Sequence, residues 1–492
     1  MQSFAGVALS SNALLGIDVG TSSLKVLFID IESGELHRDE VKLDIARDGT
    51  RVEQSPEDYL NALKTIVGRN REWIDRTSAI GLSGQTPSLL GVNAAGNATT
   101  PTLIWQDNRA HVEADALAKR FGNPWEVIGT SLPWSPSGSP AKAFWLSKNN
   151  PEVVSKTRWL LQPKDFLGMH LTGDAISDPW STKGLCGVRN IAPLTEVLEF
   201  AGWSDAVVPE LRAGNASRGL TSKDCQNQIG IPSGIPVAVG WSDAMSGMLS
   251  LGVFHEPRSF IITGTSAIVG TSSEVTPMDA GSLYVIPREC APLSVTYGPT
   301  QMSGGSISWA AGVLGTTEKE LVELGATDVG IDAPIYLPYI AGERAPLWRN
   351  DIRGSFTQIS IEHSRSSFAR ATMEGISFAE RQVLELSQSL TKTNPERVVL
   401  GGHAGNDPRW SKVRRRTLSK SILRIEDADA TCRGAAILAH SILSNDLAES
   451  YLKLAPHGET DDATADDISY GQSNFARFLN EQRQLLNNGG NR

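Results

Sequence analysis

Cysteine is scarce and poorly placed for cross-linking. Cys186, Cys225, Cys290 and Cys432 are scattered, with no C-x-x-C spacing among them. That argues against a disulfide scaffold and a zinc cluster, and fits a reducing, cytoplasmic setting. Long apolar runs are missing as well. No stretch approaches the roughly 18 residues of a membrane span, so no membrane partner is expected. Positive charge is not in excess: the formal net charge is −10. Duplex nucleic acid is therefore not an expected partner, whereas a nucleotide held by backbone N–H groups in a small site remains compatible. No G-x-x-x-x-G-K-[ST] occurs, which excludes a P-loop. The opening MQSFAGVALSSNALLG has neither Lys nor Arg, whereas a secretory signal needs a positive n-region. Residues 1–13 are expected to form a disordered extension.

What is present is length and an alternating pattern. With 492 residues, 40% hydrophobic and 20% charged, two or three domains of roughly 100–200 residues are expected. LLGIDVG and LKVLFID read as strands of an opening hairpin. SPEDYLNALKTIVGRNREWI has helix-start signals: Ser55 as N-cap, Pro56 at the first position and Glu57 and Asp58 in the first turn. TSAIGLSG reads as a buried strand. NPEVVSKTRWLLQPKDFLGMHLTG reads as helix, strand, helix, and IPVAVGWSDAMSGMLSLG as strand, turn, helix. RSFIITGTSAIVGTS is a second strand–turn–strand, and its Gly264-Thr265-Ser266 matches Gly20-Thr21-Ser22. A motif that returns about 240 residues later predicts two related halves, with a boundary near 247–256. HGETDDATADD is expected to be an exposed acidic connection before a last helix, NFARFLNEQRQLLN.

Four segments carry candidate chemistry. The first turn offers the hydroxyls of Thr21, Ser22 and Ser23 and its N–H groups to an anion, with Lys25 close behind. Asp18 could orient a water on magnesium, an ion that takes only one or two carboxylates. VVLGGHAGNDPRW ends a strand in Gly401-Gly402 and starts a helix after Asn406; glycine there lets backbone approach a ring or a phosphate. In VAVGWSDAMSG, Asp243 opens a helix, either as a cap or as a general base held ionised by the helix dipole. In YLPYIAGERAPLWRNDIRGSF, Glu343 and Arg344 are expected to pair, near Pro346 and Arg349.

In combination these segments resemble the actin-like ATPase superfamily, whose duplicated ribonuclease-H-like domains clamp ATP in a cleft. Within it the chain is most similar to the FGGY carbohydrate kinases, particularly the xylulokinase branch. The likeness runs from about residue 14 to 445 through GIDVGTSSLKV, SPAKAFWLSKNNPEV, LLQPKDFLGMHLTGDAISD, LPYIAGERAP, RATMEGISFAERQVLE and LGGHAGNDPRW, in family order. It implies an α/β fold with a sugar-binding domain over 14–250 and a nucleotide-binding domain over 251–480. It also implies ATP and Mg2+ as cofactors. Asp243 would be the catalytic base and Asp18 would hold the magnesium water. Thr21, Ser22, Ser23, Lys25, Gly264 and Thr265 would face phosphates. Gly304 and Ser308 would line the nucleotide site, and Gly401, Gly402 and Asn406 would hold the adenosine. Gln85, Thr86, Pro87, Trp105 and Asp107 match positions near the acceptor pocket.

The implied reaction is phosphoryl transfer to a ketose or polyol, best matched by a D-xylulose-like pentulose. A homodimer is the assembly considered. Xylulokinases usually carry Met-His after the Gln, where this chain has Thr86-Pro87, and losing an imidazole that bonds a hydroxyl changes discrimination. Glycerol, ribulose, gluconate or autoinducer-2 kinase chemistry shares the scaffold. An actin-like ATPase without a small acceptor, or a silent sugar-binding regulator, are the readings outside sugar phosphorylation. Trp241 either narrows the pocket or belongs to the core.

Overall fold

The computed structural model describes residues 12–327, 333–402 and 407–488. Two compact units emerge. The first comprises residues up to His255, then Glu289–Pro292 and Asp429–Ala455; the second comprises Glu256–Arg288, Leu293–Ala428 and Pro456 onward. The expected extension lies outside the described residues up to residue 11, and Ala13 already belongs to the first strand, paired with Asp30.

The first unit is built on β1 (Ala13–Val19), β2 (Ser23–Asp30), β3 (Leu36–Lys42), β4 (Thr77–Gly84), β5 (Ser217–Leu220), β6 (Pro236–Ala238) and β7 (Trp241–Ser242). The sheet runs β5-β6-β4-β1-β2-β3, with β7 also on β4. β1 is antiparallel to β2 and parallel to β4. Both faces are covered, so β1 reads as a continuous buried run rather than an alternation. Helix α1 (Pro56–Arg69) lies beneath, its Tyr59, Leu63, Ile66 and Val67 in the same core as Leu15, Ile17 and Ile80. Ser55 sits at the N-cap as expected, but its hydroxyl bonds Glu57 rather than a helix N–H. α2 (Ser139–Asn149), α3 (Pro163–Thr172) and α4 (Asp243–Ser250) complete what the site needs.

The second unit repeats the plan. Its strands are β8 (Ser259–Thr263), β9 (Ala267–Ser273), β10 (Tyr284–Ile286), β11 (Ser294–Pro299), β12 (Arg397–Gly401), β13 (Ser421–Ile425) and β14 (Gly458–Asp461), in the order β10-β11-β9-β8-β12-β13-β14. β8 is antiparallel to β9 and parallel to β12, as β1 is to β2 and β4. Helices α5 (Gly304–Leu314), α6 (Arg365–Thr391) and α7 (Pro408–Leu418) pack around it. The shared core order, three antiparallel strands followed by two parallel ones, is the ribonuclease-H-like topology. The segment expected as an acidic connection contains β14. It pairs with β13 and is tied by the ion pair of Arg424 and Glu459, so backbone pairing outweighs its polar composition.

The chain also returns to its first unit. Helix α8 (Ala430–Ser444) packs on β1 and β4. A Cβ on Gly16 would stand 2.0 Å from the Cys432 carbonyl, and one on Gly81 would stand 1.8 Å from that of Ala435. These glycines admit the helix backbone, so residues 429–455 are separate from the contiguous span 251–480 read from the sequence. The last helix is α9 (Ala465–Asn488). Among the described residues no helix is long and apolar enough to cross a membrane.

Candidate functional site

In the first unit the candidate residues meet at the carboxyl ends of parallel strands, where such sheets place ligand sites. Asp18 aligns with Ser83 of β4, and Ser83 aligns with Trp241 of β7. The chain then leaves β1 as Gly20-Thr21-Ser22, β4 as Gln85-Thr86-Pro87 and β7 as Asp243. The interruption between β6 and β7 is Gly240, at φ +88°, where a Cβ would stand 2.2 Å from the Leu82 carbonyl. No side chain fits there.

Asp18 is buried and accepts hydrogen bonds from Ser83 Oγ (2.7 Å) and Thr431 Oγ1 (2.8 Å). Burial raises its proton affinity, and the two hydroxyls and Lys25 counteract this. Asp243 is half-buried as the first residue of α4, and its carboxylate accepts from the Ala244 N–H at 2.7 Å. Burial and the Asp18 carboxylate push its pKa up to about 7, against the smaller effects of that N–H and Lys183. A carboxylate poised near neutrality suits a general base.

The hydroxyl turn is more internally bonded than expected. Thr21 Oγ1 donates to Gln85 Oε1 (3.2 Å) and accepts from the Trp105 indole (2.9 Å). Gln85 is buried and donates to Gly20 O and Gln54 Oε1. Ser23 is buried and bonds Glu40, whereas Ser22 is exposed. Trp105 leaves 45% of its surface open above this network. Thr86 and Pro87 are half-buried. Asp107, expected near the acceptor, has both carboxylate oxygens engaged: Val52 N donates at 2.7 Å and the Arg109 side chain grips it at 2.6–3.0 Å. It therefore shapes the turn carrying Trp105. Trp241 is fully buried against Phe254 and belongs to the core.

Sequence reasoning missed two buried lysines that hold this end together. Lys142, inside SPAKAFW, donates to the carbonyls of Pro87, Leu103 and Ile104 at 2.8–3.0 Å, tying the Thr86-Pro87 segment to the Trp105 segment. Burial pulls its ammonium down to about 7. Lys164, inside QPKD, pairs with Asp165 (2.6 Å) and Asp178 (2.9 Å), its Cβ directly under Gly84. A Lys on an otherwise apolar helix face was the available signal.

In the second unit Gly264-Thr265-Ser266 joins β8 to β9. The carbonyls of Gly264 and Thr265 accept from the N–H groups of Ser303, Gly304 and Gly305 at 2.8–3.0 Å, so this turn seats the start of α5. Ser308 donates to Glu318 Oε1 at 2.6 Å. Gly401 ends β12, and Gly402 has φ +84°, where a Cβ would stand 2.3 Å from Thr263 O. Asn406 lies outside the described residues. Beneath the turn is a pair that sequence reasoning did not single out: Arg414 and Glu380 are fully buried at 2.7 Å, with Ser303 Oγ on Glu380 and Arg414 on Thr263 Oγ1. The expected ion pair of Glu343 and Arg344 does not form. Glu343 accepts from the backbone N–H groups of Gln301 and Arg344, Arg344 donates to Thr300 O, and Arg349 pairs with Asp351. Burial pushes Glu343 up to about 7.

Asp18, beside Asp243, fits a magnesium ion: its carboxylate adds to the cost of ionising Asp243, which a cation would relieve. Among the described residues no group of three or more ligating side chains occurs; magnesium takes only one or two carboxylates and keeps several waters.

Comparison with known proteins agrees with this organisation. The family model of the FGGY carbohydrate kinase N-terminal domain matches residues 13–250, and that of the C-terminal domain matches 260–442. A xylulose kinase of Lactococcus lactis subsp. lactis (strain IL1403) is 26% identical over 438 residues, 87% of each chain. A gluconokinase of Bacillus subtilis (strain 168) is 24% identical over 450 residues, 86% of each. The crystal structure of a xyloylose kinase from Brucella ovis superposes with a TM-score of 0.87 at 24% identity, covering 96% of this chain and 99% of that one. With both domain models matched over most of its length, the chain belongs to the FGGY family of carbohydrate kinases.

Proposed function

We propose that this kinase transfers the γ-phosphoryl group of Mg-ATP to a hydroxyl of an acyclic polyhydroxylated acceptor, with Asp243 as the base. The observation that carries the reading is Asp243 itself, a carboxylate at a strand end, beside Asp18, with its pKa near 7. Phosphoryl transfer passes through a loose transition state, so the protein mainly positions groups and offsets charge. Asp243 takes the acceptor proton. Thr21 and Gln85 hold the first turn rigid. The Gly264-Thr265-Ser266 turn and Gly402 support the nucleotide. Magnesium, held by Asp18 through a water, would supply charge neutralisation at the phosphates.

The acceptor has two candidates. The overall resemblance and the xylulose kinase relatives favour a D-xylulose-like pentulose. Thr86-Pro87 in place of Met-His, together with the gluconokinase relative, supports a sugar acid. ADP release measured over a panel of ketoses, polyols and sugar acids tests the proposal. The expected result is acceptor-dependent ADP release that disappears in Asp243→Ala while ATP binding persists; wild-type rates in that variant would end the assignment.

A further inference from the structure

Helix α8 packs on the three elements that form the acidic end of the first unit, β1, β4 and α4. It meets each of them backbone to backbone. A Cβ on Gly16 of β1, on Gly81 of β4 or on Gly434 of α8 itself would stand 1.8–2.0 Å from the carbonyls of Cys432, Ala435 and Ser246, respectively. Ser246 belongs to α4, the helix that Asp243 opens. The ion pair of Arg38 and Asp429 holds the residue before α8. No side chain cushions such approaches, so the start of α8 has a single seat.

That seat delivers Thr431. Inside α6 and α7, Thr372 and Thr417 turn their hydroxyls to the carbonyls of Phe368 and Val413, one turn earlier. Thr431 is the second residue of α8 and has no helical carbonyl one turn before it. Its hydroxyl donates instead to Asp18 Oδ2 at 2.8 Å, while Ser83 donates to Oδ1 at 2.7 Å. An ionised carboxylate accepts at about four sites. The two hydroxyls take one on each oxygen, which fixes the carboxylate plane and leaves acceptor capacity on both. We propose that Thr431 is a positioning residue for metal binding: it holds Asp18 in the orientation that receives magnesium's water. This rests on the reading of Asp18 given above.

Thr431→Val keeps the side-chain shape and removes the hydroxyl, whereas Thr431→Ser keeps the hydroxyl. ADP binding is measured by calorimetry with and without Mg2+. Thr431→Val is expected to lose about tenfold of the affinity that magnesium adds, the worth of a hydrogen bond to a charged group. Metal-free ADP binding is expected to stay unchanged. Thr431→Ala, smaller and also without the hydroxyl, is expected to behave as Thr431→Val, and Thr431→Ser to restore most of the gain. In an Asp18→Ala background Thr431→Val is expected to add no further loss, because the pair acts as one unit. The magnesium concentration that half-saturates ADP release should rise in parallel, with KM for the acceptor unmoved. A magnesium effect that follows these variants in a protein releasing no ADP with any acceptor would uphold the inference and remove the kinase reading. An unchanged magnesium effect in Thr431→Val, an equal loss without the metal, or a loss that Thr431→Ser does not restore would overturn the inference and leave the kinase reading standing.

Discussion

Asp18 and Ile262 occupy the same place in two sheets of one topology. Each stands two residues before a Gly-Thr-Ser turn, on the strand that pairs antiparallel with the next and parallel with a later one. Across the first hairpin Asp18 faces Lys25 and, on β4, Ser83; Ile262 faces Ile268 and Gly401. One sheet therefore ends in an acid held by hydroxyls, the other in apolar and glycine positions. The buttresses differ in the same way. Lys164 with two aspartates lies under the first sheet end, and a single Arg414–Glu380 pair lies under the second. A duplicated scaffold can thus carry unlike tasks, because the strand order sets where side chains emerge and the side chains set the chemistry.

Breaking the acidic side should have the largest effect. Asp243→Asn is expected to lower kcat by about 10³-fold while nucleotide affinity, measured by titration, is retained. The same substitution removes a carboxylate that is costly to ionise in the fold. A group whose folded pKa lies above its unfolded value loses stability as pH rises, so Asp243→Asn should melt higher than wild type at pH 8. On the apolar side the largest effect is expected in folding. Glu380→Gln leaves Arg414 buried without its counter-charge, at about 3 kcal/mol, readable as a lowered urea midpoint.

Gly402→Ala sharpens the contrast, because it strains only the second sheet end, proposed above to support the nucleotide. A left-handed backbone costs a side chain roughly 1–2 kcal/mol, so KM for ATP should rise about tenfold, with KM for the acceptor unmoved. The smallest effect concerns pH. Asp243 must be ionised to accept a proton, so kcat/KM should rise with pH through about 7 and then level. Asp18→Asn removes one of the two causes of that high value and should move the limb towards lower pH in the residual activity. A limb near pH 4 in the wild type would break the comparison.

Much of the frame was legible in the chain. Both hairpins, the helix from Pro56, the strand at Thr77–Gly84 and the strand–turn–helix around Asp243 follow from periodicity, turn residues and caps, which are local properties. β14 and the return of α8 to the first unit were not legible, since each depends on a partner strand or sheet far away in sequence. The same reason hid the engagement of Asp107 by Arg109 and Val52 and the failure of Glu343 to pair with Arg344. Neighbours in sequence need not be the nearest partners in space.

The residues by themselves determined the family, the repeated Gly-Thr-Ser turns and the identity of the acids, because short motifs and hydrophobic period are written in the chain. Only the tertiary structure decided which groups are spoken for: Thr21, Gln85 and Asp107 bonded within the protein, and Lys142 and Lys164 locked beneath the strand ends. Burial and hydrogen-bond saturation come from packing between distant segments, and they decide whether a polar side chain serves the fold or the ligand.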